Sequence, residues 1–122
     1  MPKYLIEVNY TLDGVKGLKA EGGSARVAAA TALIESLGGT VESFHFALGE
    51  TDAYVITDMP DTVSAAAAAL AVNAGGGATT RTVALLTATE ADAAAAKKTV
   101  YRPGLTLQHP KWLRQPRTSC TP

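Results

Sequence analysis

The sequence predicts an α+β domain, and three observations predict it. Four short stretches, residues 3–10, 40–48, 53–58 and 79–87, read as strands, the first two by the alternation of a half-buried strand. Helical stretches separate the first strand from the second and the third from the fourth. Glycines punctuate the helix ends at Gly22-Gly23, Gly38-Gly39 and Gly75-Gly76-Gly77.

Tyr4, Ile6, Val8 and Tyr10 fall on one face of the first strand, and Lys3, Leu5, Glu7 and Asn9 on the other. Thr11 reads as the N-cap of a helix that runs to about Glu21, with Asp13 at the positive end of its dipole. Ser24 reads as the cap of a second helix over 26–37, where Val27, Ala30, Leu33, Ile34 and Leu37 form an apolar stripe. In the second strand, alternation puts Phe44, Phe46 and Leu48 on one face and Val41, Ser43, His45 and Ala47 on the other. The turn Gly49-Glu50-Thr51-Asp52 makes a hairpin with the third strand, and its acids follow from turn chemistry, in which Asp bonds its own backbone. Asp58-Met59-Pro60-Asp61 ends that strand, and an alanine-rich helix occupies 62–74. Three glycines after this helix read as a turn, because a phosphate loop precedes a helix. Thr87-Ala88-Thr89-Glu90 is a capping box that opens a last short helix to about Lys98. From Thr99 onward the periodicity stops, and four of the six prolines mark an extended tail.

This order is the split βαββαβ arrangement of a ferredoxin-like domain over 1–98, followed by a basic, Pro-rich arm over 99–122. Its helices cover one face of a four-stranded antiparallel sheet, and two open faces packed together would close a dimeric α/β barrel. The chain has 122 residues, enough for one domain with one core. Much of its 47% apolar share is alanine and only 6% is aromatic, so the core is built from small side chains that subunit association would supplement. A single cysteine, Cys120, excludes an intrachain disulfide framework and a multi-cysteine metal site. No apolar run is long enough for a membrane span, and Met1–Glu7 runs straight into a strand pattern instead of a signal peptide. The expected location is cytoplasmic.

Several segments in register resemble one known family. They are Tyr4-Leu5-Ile6-Glu7-Val8-Asn9-Tyr10-Thr11, Gly14-Val15-Lys16-Gly17-Leu18, Glu21-Gly22-Gly23-Ser24, Ser36-Leu37-Gly38-Gly39 and Gly49-Glu50-Thr51-Asp52. Ala71-Val72-Asn73-Ala74 and Leu85-Leu86-Thr87 also fit. Over roughly 2–98 the chain resembles the GYD-domain family, which implies a ferredoxin-like fold associating as a dimeric α/β barrel and implies no reaction. The turn that names the family usually carries an aromatic residue before the aspartate, and here that position is Thr51.

Candidate functional residues gather on the open face. Alternation puts Glu7 and Asn9 there from the first strand and Ser43 and His45 from the second. Tyr54 and Arg81 are the candidates from the third and fourth, whose phase the pattern leaves open. His45 is the group nearest neutral pH in its ordinary titration, and Glu7 on the same surface is placed to orient it or exchange a proton with it. The plainer expectations are an interface histidine, a salt-bridged Glu7, and an Arg81 that pairs with a carboxylate as readily as with an anionic ligand. Two histidines, one of them in the tail, make no metal site, and no cofactor is implied.

The net charge of zero hides an asymmetry. Residues 1–96 hold all eleven acids against five bases, a net of −6, and 97–122 hold six bases and no acid, a net of +6. In that arm Arg102, Leu105, Leu107, Trp112 and Arg114 would fasten onto an acidic surface of a sister subunit or another protein, a reading preferred to disorder or nucleic acid. Three functions stay open. The first is a small homo-oligomer that binds a small molecule on its open face, with Arg81 available for an anionic one. The second is a cofactor-free enzyme of the dimeric-barrel monooxygenase or isomerase type, with His45 as acid/base. The third is a structural or adaptor subunit docked through its arm.

Overall fold

The computed structural model of the protein describes residues 1–103. The chain runs β1 (Lys3–Tyr10), α1 (Leu12–Glu21), α2 (Gly23–Ser36), β2 (Thr40–Phe46), β3 (Ala53–Asp58), α3 (Thr62–Ala74), β4 (Ala78–Leu85) and α4 (Ala88–Ala96). It divides into two units, Met1–Ala91 and Asp92–Pro122, and the first holds the sheet, α1, α2 and α3. The strand order is β2-β3-β1-β4, with each neighbouring pair antiparallel. β1 and β2 therefore run in the same direction with β3 inserted between them, which is the split arrangement of the ferredoxin-like fold.

The alternation of β1 decides which face is covered. Tyr4 and Val8 are buried, as are their β3 register partners Thr57 and Ala53 on the same side. Ile34 of α2, Ala65 and Ala68 of α3 and the fully buried Met59 close one half of the core with Tyr4. Val8, Ala53, Val55 and Ala78 form the other half, packed by Phe44 and Val72. Two glycines are dictated by close approach. A Cβ on Gly14 would lie 1.8 Å from the Gly77 carbonyl oxygen, and one on Gly39 would lie 2.5 Å from that of Asp58.

Caps follow side-chain chemistry at three helix starts. The Thr11 hydroxyl accepts from Gly14 N at 3.2 Å, and Asp61 accepts from Ser64 N at 2.7 Å. Thr87 and Glu90 bond reciprocally, Thr87 N to Glu90 Oε1 at 2.9 Å and Glu90 N to Thr87 Oγ1 at 3.1 Å, as the capping box requires. At α2 the outcome differs from expectation. Gly22, at φ 90°, is the N-cap and no side chain bonds there, so Ser24 lies inside the first turn. A glycine in that conformation lets α1 end and α2 begin without an intervening loop.

The second correction concerns Val41. The ladder between β2 and β3 pairs Val41 with Thr57 but Ser43 with Ile56, a register shift at Glu42. One extra residue in β2 reverses the phase of everything before it. Val41 thus packs on the covered face with Phe44, and the expectation of Val41 beside Ser43 and His45 fails. β2 also ends at Phe46, leaving Leu48 fully exposed instead of on the Phe44 face. Among the described residues no helix is long and apolar enough to cross a membrane. In the arm, Arg102 is exposed, and Leu105, Leu107, Trp112 and Arg114 lie outside the described residues.

Candidate functional site

Register resolves the phase that the sequence leaves open. Glu7 stands opposite Tyr54 of β3 and opposite Arg81 of β4, and Tyr54 stands opposite His45 of β2. His45, Tyr54, Glu7 and Arg81 therefore form one row across all four strands on the uncovered face. The next row is Ser43, Ile56, Leu5 and Val83, apolar but for its serine. Beyond it lies Lys3, whose ammonium donates to Glu42 and to Asp58 Oδ1, the latter at 2.9 Å. Those two bonds, the one to Glu42 first, hold the Lys3 pKa above its usual value.

Within the polar row the contacts are specific. Arg81 Nη2 donates to Glu7 Oε1 at 2.8 Å, and the Thr51 hydroxyl donates to the same oxygen at 3.4 Å. The Arg81 side chain is 73% exposed and that of Glu7 only 21%, so the carboxylate is the fixed member of the pair. Asn9 sits one step along β1, where its Nδ2 donates to the Glu50 carbonyl at 2.6 Å and ties the hairpin turn to the sheet. Glu7, Asn9, Glu50, Thr79 and Arg81 line an open pocket of about 330 Å3 at this end of the face.

All six candidate residues, Glu7, Asn9, Ser43, His45, Tyr54 and Arg81, thus share the open face. The imagined couple of His45 and Glu7 does not form. Two strand spacings separate them, roughly 10 Å, with Tyr54 between, and Glu7 is engaged by Arg81 and Thr51. Thr51, which bonds Glu7, is a member of this cluster that residue-by-residue reading did not single out. It is buried, and it occupies the one turn position where this chain departs from the family pattern, which was the available signal. Asp52 also acts differently from a simple turn residue. Its Oδ2 accepts from Tyr10 N at 2.9 Å, and its own N–H donates to the Val8 carbonyl at 2.9 Å, so it latches the turn to the end of β1.

Among the described residues no group of three or more His, Cys, Asp or Glu side chains is gathered for a metal ion. No curated protein and no solved structure matches the chain at a significant level. The GYD domain family model matches residues 4–95, which takes in all of the sheet but Lys3, with the polar row and the Thr51–Asp52 turn. The chain belongs to the GYD-domain family.

Proposed function

We propose that the protein is a homodimer that binds a small molecule in a cleft between two facing sheets, lined by the row His45, Tyr54, Glu7 and Arg81. One observation carries this reading: these four side chains stand on a single line across the sheet, beside the apolar row of Ile56, Leu5 and Val83. An apolar row on an uncovered sheet calls for a partner. Its charges favour a second copy. Lys3 is engaged by Glu42 and Asp58, and Arg81 by Glu7, so two identical faces meet with little like-charge repulsion. Polar side chains held at fixed register keep part of such an interface wet, which leaves room for a hydrogen-bonding ligand.

The pairing of Arg81 also narrows the ligand. A guanidinium already satisfied by Glu7 favours a neutral polar molecule over the anionic one that the sequence suggests. The enzyme reading draws less support, because among the described residues no carboxylate pairs with His45 to set its tautomer. Native mass spectrometry of the gently purified full chain tests the proposal. The expected result is a species of twice the 12.6 kDa chain mass carrying a further small mass. Loss of that small mass in a Tyr54→Phe, His45→Ala double variant that remains dimeric would place it in the cleft. A bare dimer whose cleft residues show no response to added polar metabolites overturns the binding claim, and a bare monomer overturns the whole proposal.

A further inference from the structure

A second apolar surface lies where α1 meets the end of β2, apart from the polar row. Val15 and Leu18 of α1 line a shallow groove of about 400 Å3 with Phe46 and Leu48. Val15 and Phe46 are exposed, and Leu48 is completely so. The floor is preformed. The Phe46 ring centre stands 5.0 Å from that of Phe44, and a Cβ on Gly23 would lie 3.0 Å from the Phe46 ring. Asp52 is the only charged residue of the lining, and the Tyr10 backbone N–H holds its Oδ2 in place. Exposed aromatic and branched side chains grouped in this way mark a docking surface.

Residues 104–122 carry the matching chemistry. Leu105, Leu107, Trp112 and Leu113 supply apolar area, and Lys111, Arg114 and Arg117 supply three positive charges with no acid. Residues 1–103 hold eleven acids against eight bases, a net of −3 that the +3 of this segment balances. Lys111 and Arg114 flank Trp112-Leu113, so an apolar anchor and its cations reach together a groove whose one charge is an acid.

Strand topology favours a segment from a second copy. Phe46 belongs to the row of Ala53, Val8 and Thr80, whereas β4 leaves the sheet at Leu85, opposite Lys3. Groove and exit are diagonal corners, about 17 Å apart along the strands and about 14 Å across them. A chain's own segment would have to turn back across its whole sheet, a constraint that a partner's segment does not share. The 19 residues of 104–122 span at most about 60 Å. Tethered in a dimer, they act at an effective concentration of about millimolar, so a contact too weak to join free chains suffices.

We propose that, in the proposed homodimer on which this inference rests, segment 104–122 of each chain docks in the other chain's groove. Trp112 and Leu113 lie against Val15, Phe46 and Leu48, and the flanking cations lie toward Asp52.

Trp112 is the only tryptophan of the chain, so its fluorescence reports the contact in the full-length protein. In the dimer its emission is shifted to the blue, and acrylamide quenches it several-fold less than free N-acetyltryptophanamide. Leu48→Glu puts an acid at a fully solvated position, so the variant stays folded and dimeric while Trp112 becomes as quenchable as the free compound. Mixing Leu48→Glu with Trp112→Phe leaves the intact groove and the tryptophan on different chains. Once native mass spectrometry shows mixed dimers, part of the protection returns. The inference is overturned if Trp112 of the dimeric parent is quenched like the free compound, or if dimeric Leu48→Glu keeps its protection. It is also overturned if mixed dimers restore none, since the segment then folds onto its own chain. These outcomes leave the dimer standing, whereas a parent that is monomeric on the same samples overturns both readings together.

Discussion

On the covered face Tyr4, Val8, Val55 and Ala78 are buried beneath α2 and α3, whereas on the open face Tyr54 and Val83 each remain 41% exposed. Both sets come from the same strands, separated only by the pleat. The covered face is closed by small side chains, so its limits are set by backbone approach and by the gaps that alanines leave. The open face is held by paired polar groups, Lys3 with Glu42 and Asp58 and Glu7 with Arg81 and Thr51. The difference teaches where each kind of change will be felt. Volume governs one side, and partner geometry governs the other.

The largest effect is expected where backbones touch on the covered side. Gly14→Ala drives a Cβ to 1.8 Å from the Gly77 carbonyl, and a loss of about 3 kcal/mol or more is expected in chemical denaturation. Gly17→Ala, in the same helix, meets nothing nearer than the Arg26 guanidinium at 3.9 Å and should gain up to about 1 kcal/mol. Equal effects at the two positions would break the claim that α1 is seated by close approach.

Next in size is Thr57→Val. Thr57 is fully buried and its hydroxyl has no partner among the described residues, so an apolar side chain of the same shape should stabilise the fold by about 1 kcal/mol. A loss of stability would mean that the hydroxyl is satisfied in solution. On the open side, Arg81→Ala is expected to cost only a few tenths of a kcal/mol in the dissociated chain, because the guanidinium is largely solvated.

The smallest effects are those of pH. Asp61 accepts the Ser64 backbone N–H, and that bond lowers its pKa below the ordinary 3.8. Its contribution is present above 3.8 and is lost as pH falls through that value to the lower folded one, a loss absent in Asp61→Asn. At the other end, burial raises the Tyr10 pKa above the ordinary 10.0, partly offset by Arg26. Stability that depends on its neutral form is complete below 10.0 and declines as pH rises past it. A Tyr10→Phe variant should lack the late phenolate step in an absorbance titration.

Much of this was readable in the sequence for identifiable reasons. The alternation of Tyr4 to Tyr10 against Lys3 to Asn9 assigns both faces of β1, and the Thr87–Glu90 box states its own hydrogen bonds. Val41 was not readable, because a bulge at Glu42 is a property of the pairing with β3 and leaves no mark in the hydrophobic pattern. Tyr54 and Arg81 acquire their places only through register with Glu7.

The claim that a second copy covers the open face is tested most directly by sedimentation velocity on the full chain and on Leu5→Glu, which places a charge in the middle of the apolar row. The parent should sediment at twice the chain mass at micromolar concentration, and the variant should sediment as a folded monomer. A parent that is monomeric under those conditions, or a variant that stays dimeric, would contradict the account.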